Sequence, residues 1–197
     1  MSGGTSGGGA AGLPRRGRRM VLFWLAVCIV VLLDQASKAV VRRFLVVGGV
    51  PVAGIPGLVE IVRVENTGAA FGIGAGATAV FAAIACVIFA AAFAWVLMED
   101  LPLSLSVFVG VVAGGGVGNL IDRVTRGAVT DFLSLVPVSF PVFNVADMAV
   151  TCGVAAVLVT YFWWERSGRR APEGTSPVAS DGALEEDGAV EGANEYD

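Results

Sequence analysis

Four long apolar segments constrain the fold of this chain more than any other feature of its sequence. They cover residues 20–41, 78–98, 101–121 and 146–164. Each segment is long enough to cross a bilayer as a helix, which takes about 20 residues. Hydrophobic residues make up 55% of the chain and charged residues only 15%, proportions that are rare in a soluble domain. The sequence therefore predicts an all-α membrane protein with four transmembrane helices.

The basic residues predict how these helices are oriented. Residues 15–19, with the sequence RRGRR, precede the first segment, and Arg166, Arg169 and Arg170 follow the fourth. Because flanking Lys and Arg residues stay in the cytoplasm, both termini are predicted to be cytoplasmic in a multi-pass protein of the cell membrane. The first segment is longer than the apolar core of a usual signal peptide, so we expect an uncleaved helix.

The two ends of the chain differ from the membrane core in composition. Residues 171–197 carry eight acidic side chains and no basic one. The rest of the chain has thirteen basic and nine acidic side chains, so its charge is +4 although the whole chain has −4. We predict disordered cytoplasmic ends at residues 1–17 and 167–197 and a membrane core at residues 18–166.

The connections predicted on the outer side contain strand-like sequences. The segment LVEIVRVEN, residues 58–66, is rich in β-branched residues, and glycines and prolines divide the chain before it into short pieces. A small extracytoplasmic β-sheet is therefore predicted between helices 1 and 2. The second outer connection, residues 122–145, contains another strand-like apolar stretch around Asp131.

The residue types that are absent narrow the chemistry. The chain has no histidine, which excludes Ser-His-Asp and Cys-His catalysis and any zinc site with histidine ligands. Its three cysteines, Cys28, Cys86 and Cys152, lie in apolar segments without metal-ligand spacing, so we expect them to pack as small hydrophobic residues. No metal or cofactor is expected. Carboxylate chemistry remains as the simplest catalytic option.

Two acidic residues are the best candidates for that chemistry. Asp131 has no basic residue within four positions, and Asp147 begins the fourth apolar segment. Two carboxylates that share one proton can act as base and acid in hydrolysis. Asp122 competes with them, but Arg123 follows it directly, and Asp34 has Lys38 four residues later, the spacing of a helical ion pair.

Local structural roles also fit several of these residues. Asn144 and Asp147 have the spacing of a capping box with Asp in place of Glu. Asn66 and Gly68 are typical of a turn after a strand. Taken alone, the Asp34–Lys38 pair could simply anchor its helix at the membrane interface. Ser37 beside Lys38 is only weak support for a Ser–Lys peptidase. Closely spaced glycines before Asn119, residues 114–118, favour tight helix packing.

Four blocks of sequence together resemble the lipoprotein signal peptidase family, signal peptidase II. They are LLDQASKAVV, VENTGAAFG, GGVGNLIDRVTRGAVTDF and FPVFNVADMAV, in the family's order over about residues 34–150. The resemblance implies a four-helix membrane aspartic peptidase that removes the signal peptide of prolipoproteins before a diacylglyceryl-modified cysteine. It implies Asp131 and Asp147 as the catalytic pair. The supporting or substrate-binding positions that it implies are Asp34, Lys38, Asn66, Gly68, Asn119, Asp122, Arg123 and Asn144.

Two other classes of function were weighed against a peptidase. A small transporter or proton relay would place ionisable groups along the membrane depth, whereas here they gather near the outer ends of the segments. A structural scaffold gives no reason for two unpaired acids at neighbouring helix ends. The expected partners are lipid-modified prolipoproteins and membrane lipid, with no nucleic acid, and we expect a monomer with its active site at the extracytoplasmic face.

Overall fold

The structure is a computed structural model, and it describes residues 13–68 and 77–169. Within these residues four helices are long and apolar enough to cross a membrane, as predicted. The elements in chain order are α1 (Arg15–Phe44), β1 (Val52–Ile55), β2 (Val59–Asn66), α2 (Thr78–Met98), α3 (Leu103–Arg126), β3 (Val129–Leu135) and α4 (Val145–Arg169).

Two of the helices extend beyond the predicted limits of the membrane core. Helix α2 has the predicted bounds, but α1 begins at Arg15 and α4 ends at Arg169, beyond the predicted core limits of 18 and 166. Both extensions carry arginines, whose long side chains are good helix formers. The remaining parts of the predicted disordered ends, residues 1–12 and 170–197, lie outside the described residues.

Helix α3 is the centre of the bundle and packs against each of the other three helices. Several of its glycines allow close approaches. A Cβ atom on Gly115 would lie 2.5 Å from the carbonyl oxygen of Ala146, and one on Gly118 would lie 2.6 Å from Oδ2 of Asp34. The predicted packing role is confirmed for these two residues. Gly116 differs, since a Cβ atom there would meet nothing within 4 Å.

The bundle has its apolar core toward the end where α1 begins. Phe23 and Val27 of α1 pack there with Leu105 and Val109 of α3 and Val96 of α2. At the same end the buried Arg19 donates to the carbonyl oxygen of Glu99 at 2.6 Å and pairs with Asp100 at 2.8 Å. The three cysteines are exposed on the helix surfaces rather than packed inside the protein, so that expectation was wrong.

The predicted small sheet is present and has a third strand. Strands β1, β2 and β3 form an antiparallel sheet in that order. Strand β3 comes from the connection between α3 and α4, so both outer connections build the sheet. Its register sets Val64 opposite Asp131 and Asn66 opposite Val129. The sheet therefore joins the segment around Asn66 to the segment around Asp131.

Two helix ends direct the chain to this sheet. Gly127 adopts φ 76°, a left-handed conformation that favours glycine and ends α3 just before β3. Asn144 and Asp147 form the predicted capping box at the start of α4: the Asp147 N–H donates to Asn144 Oδ1 at 3.0 Å, and the Asn144 N–H donates to Asp147 Oδ2 at 3.1 Å. The reciprocal bonds fix Asp147 in the first helical turn.

Candidate active site

Asp131 and Asp147 line one cavity of about 560 Å³ beside the sheet. Asp131 lies on β3 and is only 3% exposed, whereas Asp147 lies in the first turn of α4 and is half-buried. The two acids are 16 positions apart in sequence, and the capped helix start brings the second one back to the first. The candidate acids selected from the sequence thus face the same space.

Asn144 connects the two carboxylates. Its Nδ2 donates to Asp131 Oδ1 at 2.6 Å, and its backbone N–H donates to Asp147 Oδ2 at 3.1 Å. The same Nδ2 donates to Asn119 Oδ1 at 3.1 Å. Each polar atom of the Asn144 side chain therefore has a partner, so this fully buried residue is rigidly oriented.

The second oxygen of each carboxylate also accepts a hydrogen bond from an amide. Asn66 Nδ2 donates to Asp131 Oδ2 at 3.0 Å, and Asn119 Nδ2 donates to Asp147 Oδ1 at 2.8 Å. Asn66 is held in turn by the N–H of Gly68, which donates to Asn66 Oδ1 at 2.9 Å. The predicted turn is therefore an Asx turn that aims Asn66 at the acid.

Neutral donors rather than cations hold both carboxylates. Within residues 13–68 and 77–169 no salt bridge reaches Asp131 or Asp147. Burial raises the pKa of Asp131 to about 6, the hydrogen bond from Asn66 opposes the rise, and the negative charge of Asp147 adds to it. A carboxyl group with a raised pKa beside a second carboxylate can keep one proton between them.

Lys38 lies behind this pair and reaches it only through Asn119. Its ammonium contacts Asn119 Oδ1 at 2.8 Å, Asp34 Oδ2 at 2.9 Å and Asp122 Oδ2 at 3.1 Å. The side chains of Lys38, Asp34 and Asp122 are completely buried. The Asp34–Lys38 pair is therefore not an anchor at the membrane interface. Three acceptors use the three donor hydrogens of the lysine.

The remaining contacts of Asp34 explain why it lies so close to the cavity. Its Oδ1 accepts a hydrogen bond from the N–H of Ala146 at 3.0 Å. This bond ties α1 to the first turn of α4, next to Asp147. The hydroxyl of Ser37 donates to the backbone oxygen of Asp34 at 2.8 Å, so it is directed away from a Ser–Lys arrangement.

Arg123 and Asp122 point in different directions although they are adjacent. Arg123 donates to the carbonyl oxygen of Gly68 at 3.1 Å and lies 5.5 Å from the ring centre of Phe81. It lines the cavity, whereas Asp122 turns inward to Lys38. Asp122 ranked lower as a candidate because Arg123 follows it, but its charged partner is Lys38, since successive residues of a helix face different sides.

Much of the cavity lining is apolar. Its members come from the segment before α4 and from the exposed face of that helix, and they include Phe140, Pro141, Val142, Phe143, Met148 and Val150. Gly116 lies on the α3 side, which explains the open space around it. The cavity thus combines a polar end with a lipid-compatible surface.

Sequence reasoning missed three polar residues next to the site. Arg42 contacts Asp122 and Thr130, and Thr130 contacts Glu65. A signal for Arg42 was available, since it follows Lys38 by four residues and Asp34 by eight, on one face of α1. The pairing of Thr130 with Glu65 depends on sheet register, which the sequence does not specify.

Comparisons with known proteins agree with this architecture. The family model described as "Signal peptidase (SPase) II" matches residues 26–163. A lipoprotein signal peptidase of Dehalococcoides mccartyi strain 195 is 36% identical over 162 residues, covering 79% of this chain and 98% of that protein. One of Parasynechococcus marenigrum is 37% identical over 143 residues, covering 72% of this chain and 89% of that protein.

Two solved structures are similar to this protein in fold. A bacterial membrane enzyme structure determined by the in meso method at 2.3 Å resolution has a TM-score of 0.70 and 28% identity, covering 80% of this chain and 94% of that chain. A second, at 1.9 Å resolution, has a TM-score of 0.64 and 29% identity, covering 74% of this chain and 92% of that chain.

Proposed function

Because this chain belongs to the signal peptidase II family of aspartic peptidases, we propose that Asp131 and Asp147 are its catalytic dyad. The reaction is hydrolysis of one peptide bond in a prolipoprotein, before the cysteine that carries diacylglycerol. Asp34, Lys38, Asn119, Asp122 and Asn144 support the dyad, and Asn66, Gly68 and Arg123 shape the side of the cavity where the peptide binds.

One observation supports this assignment above all others. All four oxygens of the two carboxylates accept hydrogen bonds from neutral donors that belong to three asparagines. An ammonium or guanidinium in direct contact would favour two charged carboxylates, because an opposite charge stabilises the ionised form. Neutral amides orient the carboxylates and still permit one proton to stay in the pair.

The proposed chemistry uses that single proton. In the reactive form of the dyad the shared proton is on Asp131, and Asp147 is the base. Asp147 takes a proton from a water molecule as the water oxygen bonds to the scissile carbonyl carbon, and Asp131 gives its proton to the carbonyl oxygen. The resulting diol returns one proton to Asp131 as the carbon–nitrogen bond breaks, and Asp147 protonates the leaving amine. The dyad ends in its starting state.

The apolar wall supports a lipid-modified substrate. Phe140, Phe143 and Met148 border the same cavity as the dyad. Their surface suits the acyl chains of diacylglycerol, while the peptide lies at the polar end. The cavity is at the end of the bundle opposite to the basic start of α1, which supports an extracytoplasmic site with both termini in the cytoplasm.

Cleavage of matched precursors tests this function. Purified protein in detergent is given one prolipoprotein with diacylglycerol on its cysteine and the same precursor without the lipid. We expect a single cut before the cysteine of the lipid-modified precursor and little or no cleavage of the unmodified one. Equal cleavage of both precursors, or a cut at another bond, would contradict the proposed specificity.

A further inference from the structure

Arg42 is a partly buried charge near the site that the proposed chemistry does not use. It lies in the last turn of α1, and its side chain is 12% exposed. Arg42 does not line the cavity that contains Asp131 and Asp147. Direct contact with a substrate in that cavity is therefore not its role.

The guanidinium of Arg42 joins two residues that lie directly behind the dyad. Its Nη1 lies 3.3 Å from Asp122 Oδ1 and donates to Thr130 Oγ1 at 3.2 Å. Asp122 closes the triangle, since its Oδ2 accepts the backbone N–H of Thr130 at 3.1 Å. Thr130 is thus held by both its backbone and its side chain.

Thr130 immediately precedes Asp131 and is completely buried. Across the sheet it pairs with Glu65, and its hydroxyl lies 3.3 Å from Glu65 Oε2. The backbone direction at Thr130 sets the direction in which Asp131 leaves the strand, because successive side chains of a strand point to opposite faces. Fixing Thr130 therefore fixes the orientation of Asp131.

A second arginine connects this cluster back to the end of α1. Arg63 pairs with Glu65 at 2.8 Å. It also donates to the backbone oxygens of Arg42 and Leu45, each at 3.2 Å. The end of α1 is therefore connected to both β2 and β3, which holds the backbone of Arg42 in place.

Arg42 also balances the charge of the buried carboxylates, in addition to donating a hydrogen bond. The buried cluster behind the site contains two carboxylates, Asp34 and Asp122, and Lys38 contacts both of them. Arg42 supplies the second positive charge through its contact with Asp122. A buried carboxylate that loses a cationic partner is destabilised or takes up a proton, and either change weakens its hold on the N–H of Thr130.

We propose that Arg42 is a positioning residue for the peptidase reaction, acting through Asp122 and Thr130 to hold Asp131 in its catalytic orientation. This role rests on the proposed function of Asp131. Displacement of a reacting group by about 1 Å can lower a rate by about 100-fold, even when the altered residue is far from the chemistry. The turnover rate is therefore the quantity that depends on Arg42.

The first test compares Arg42→Met, Arg42→Lys and a neighbouring control, Arg43→Met, on the lipid-modified precursor. Arg43 is exposed and follows Arg42 directly. We expect Arg42→Met to lower kcat by about 10- to 100-fold, with KM changed by less than about twofold because the cavity surface is intact. Arg42→Lys should recover part of kcat because it restores the charge, and Arg43→Met should match the wild type.

Thr130→Val provides a second route to the same conclusion if Arg42→Met does not fold. This change removes the hydroxyl that Arg42 contacts, and we expect a lower kcat with little change of KM. When both single variants fold, the double variant should lose less than the product of the single losses, since residues of one network are not additive. Thermal unfolding shows which variants are folded.

Several results would overturn the positioning role. They are an unchanged kcat in folded Arg42→Met or folded Thr130→Val, an equal loss in Arg43→Met, and a loss confined to KM. Failure of the proposed function has a different signature: the wild type itself would leave the lipid-modified precursor uncut, or folded Asp131→Asn would cleave it normally.

Discussion

At the scale of single residues, the site is organised by asparagines placed between charges. Asn119 separates Lys38 from Asp147, and Asn144 lies between the two carboxylates. An asparagine both donates and accepts without carrying charge. The buried cation therefore holds the framework in place, and the carboxylates remain free to exchange a proton.

The hydrogen bond from Asn66 should be visible in the pH dependence of cleavage. The pKa of Asp131 is about 6, and the bond from Asn66 favours the charged form and holds the pKa down. Since Asp131 must be protonated in the free enzyme, kcat/KM should fall as the pH rises through about 6. Asn66→Ala raises the pKa further, so this limb should move to higher pH.

Measuring kcat/KM across pH for the wild type, Asn66→Ala and a control, Glu60→Gln, checks this sign. The control lies on the same strand and does not line the cavity. The profile should be bell-shaped, with the acid limb set by uptake of a second proton by the dyad. A shift of the alkaline limb to lower pH in Asn66→Ala would show that the bond does not favour the charged acid.

The sequence was sufficient to find some of these residues and not others. Asp131 was selected because no basic residue lies within four positions of it, and Asp147 because it begins the fourth apolar segment. Thr130 carries no such local signal. Its importance depends on the contacts with Arg42 and Asp122, which are 88 and eight positions away.

At the scale of helices and strands, apolar length was an accurate guide and β-pairing was not. Helix α2 has the predicted bounds because an apolar run with no charged residue ends at Glu99 and Asp100. Strand β3 was recognised only as a strand-like stretch, and its partnership with β2 was not predicted. Strand register depends on how the helices bring the two connections together, which local sequence does not determine.

The contrast between Gly115 and Gly116 offers a test of helix packing. A Cβ atom on Gly115 would lie 2.5 Å from the carbonyl oxygen of Ala146, whereas one on Gly116 meets nothing within 4 Å. Gly115→Ala should destabilise the protein by about 1–3 kcal/mol through overpacking. Gly116→Ala should be neutral or stabilise it by up to about 1 kcal/mol, because alanine is the better helix former.

Thermal unfolding in one detergent measures both glycine variants under the same conditions. The account requires a lower Tm for Gly115→Ala than for Gly116→Ala. Equal Tm values would mean that α3 and α4 separate at this point more easily than the backbone contact indicates.

At the scale of the whole molecule, the candidate site lies far from both ends of the described chain. Exposed arginines lie where α1 begins, and the candidate site lies at the opposite end of the bundle, beside the sheet. The acidic residues 171–197 follow α4 and are thus connected to the end distant from the dyad. This separation predicts that chemistry and tail are independent.

Deletion of residues 171–197 should leave cleavage and membrane insertion essentially unchanged. The deletion removes eight acidic side chains and none of the described residues that line the cavity. Turnover of the lipid-modified precursor, compared with the full chain at equal membrane content, is the measurement. Loss of turnover in a stably inserted truncated protein would show that the tail takes part in catalysis.

A chelator should not affect turnover, because two carboxylates carry out the proton transfers of the proposed reaction and no metal ion takes part. Cleavage is measured with and without a chelator, followed by addition of divalent ions. Unchanged rates agree with the dyad. Activity lost with the chelator and restored by one particular ion would exclude the proposed mechanism.

The most direct measurement of the central claim is cleavage by Asp131→Asn and Asp147→Asn, each purified in folded form. An amide cannot take a proton from water or share one with its neighbour, so each variant should lose at least about 10²–10⁴-fold in kcat. Asp100→Asn, the same substitution at a 98% exposed side chain at the far end of the bundle, should match the wild type. Near-normal cleavage of the lipid-modified precursor by either dyad variant would contradict the account.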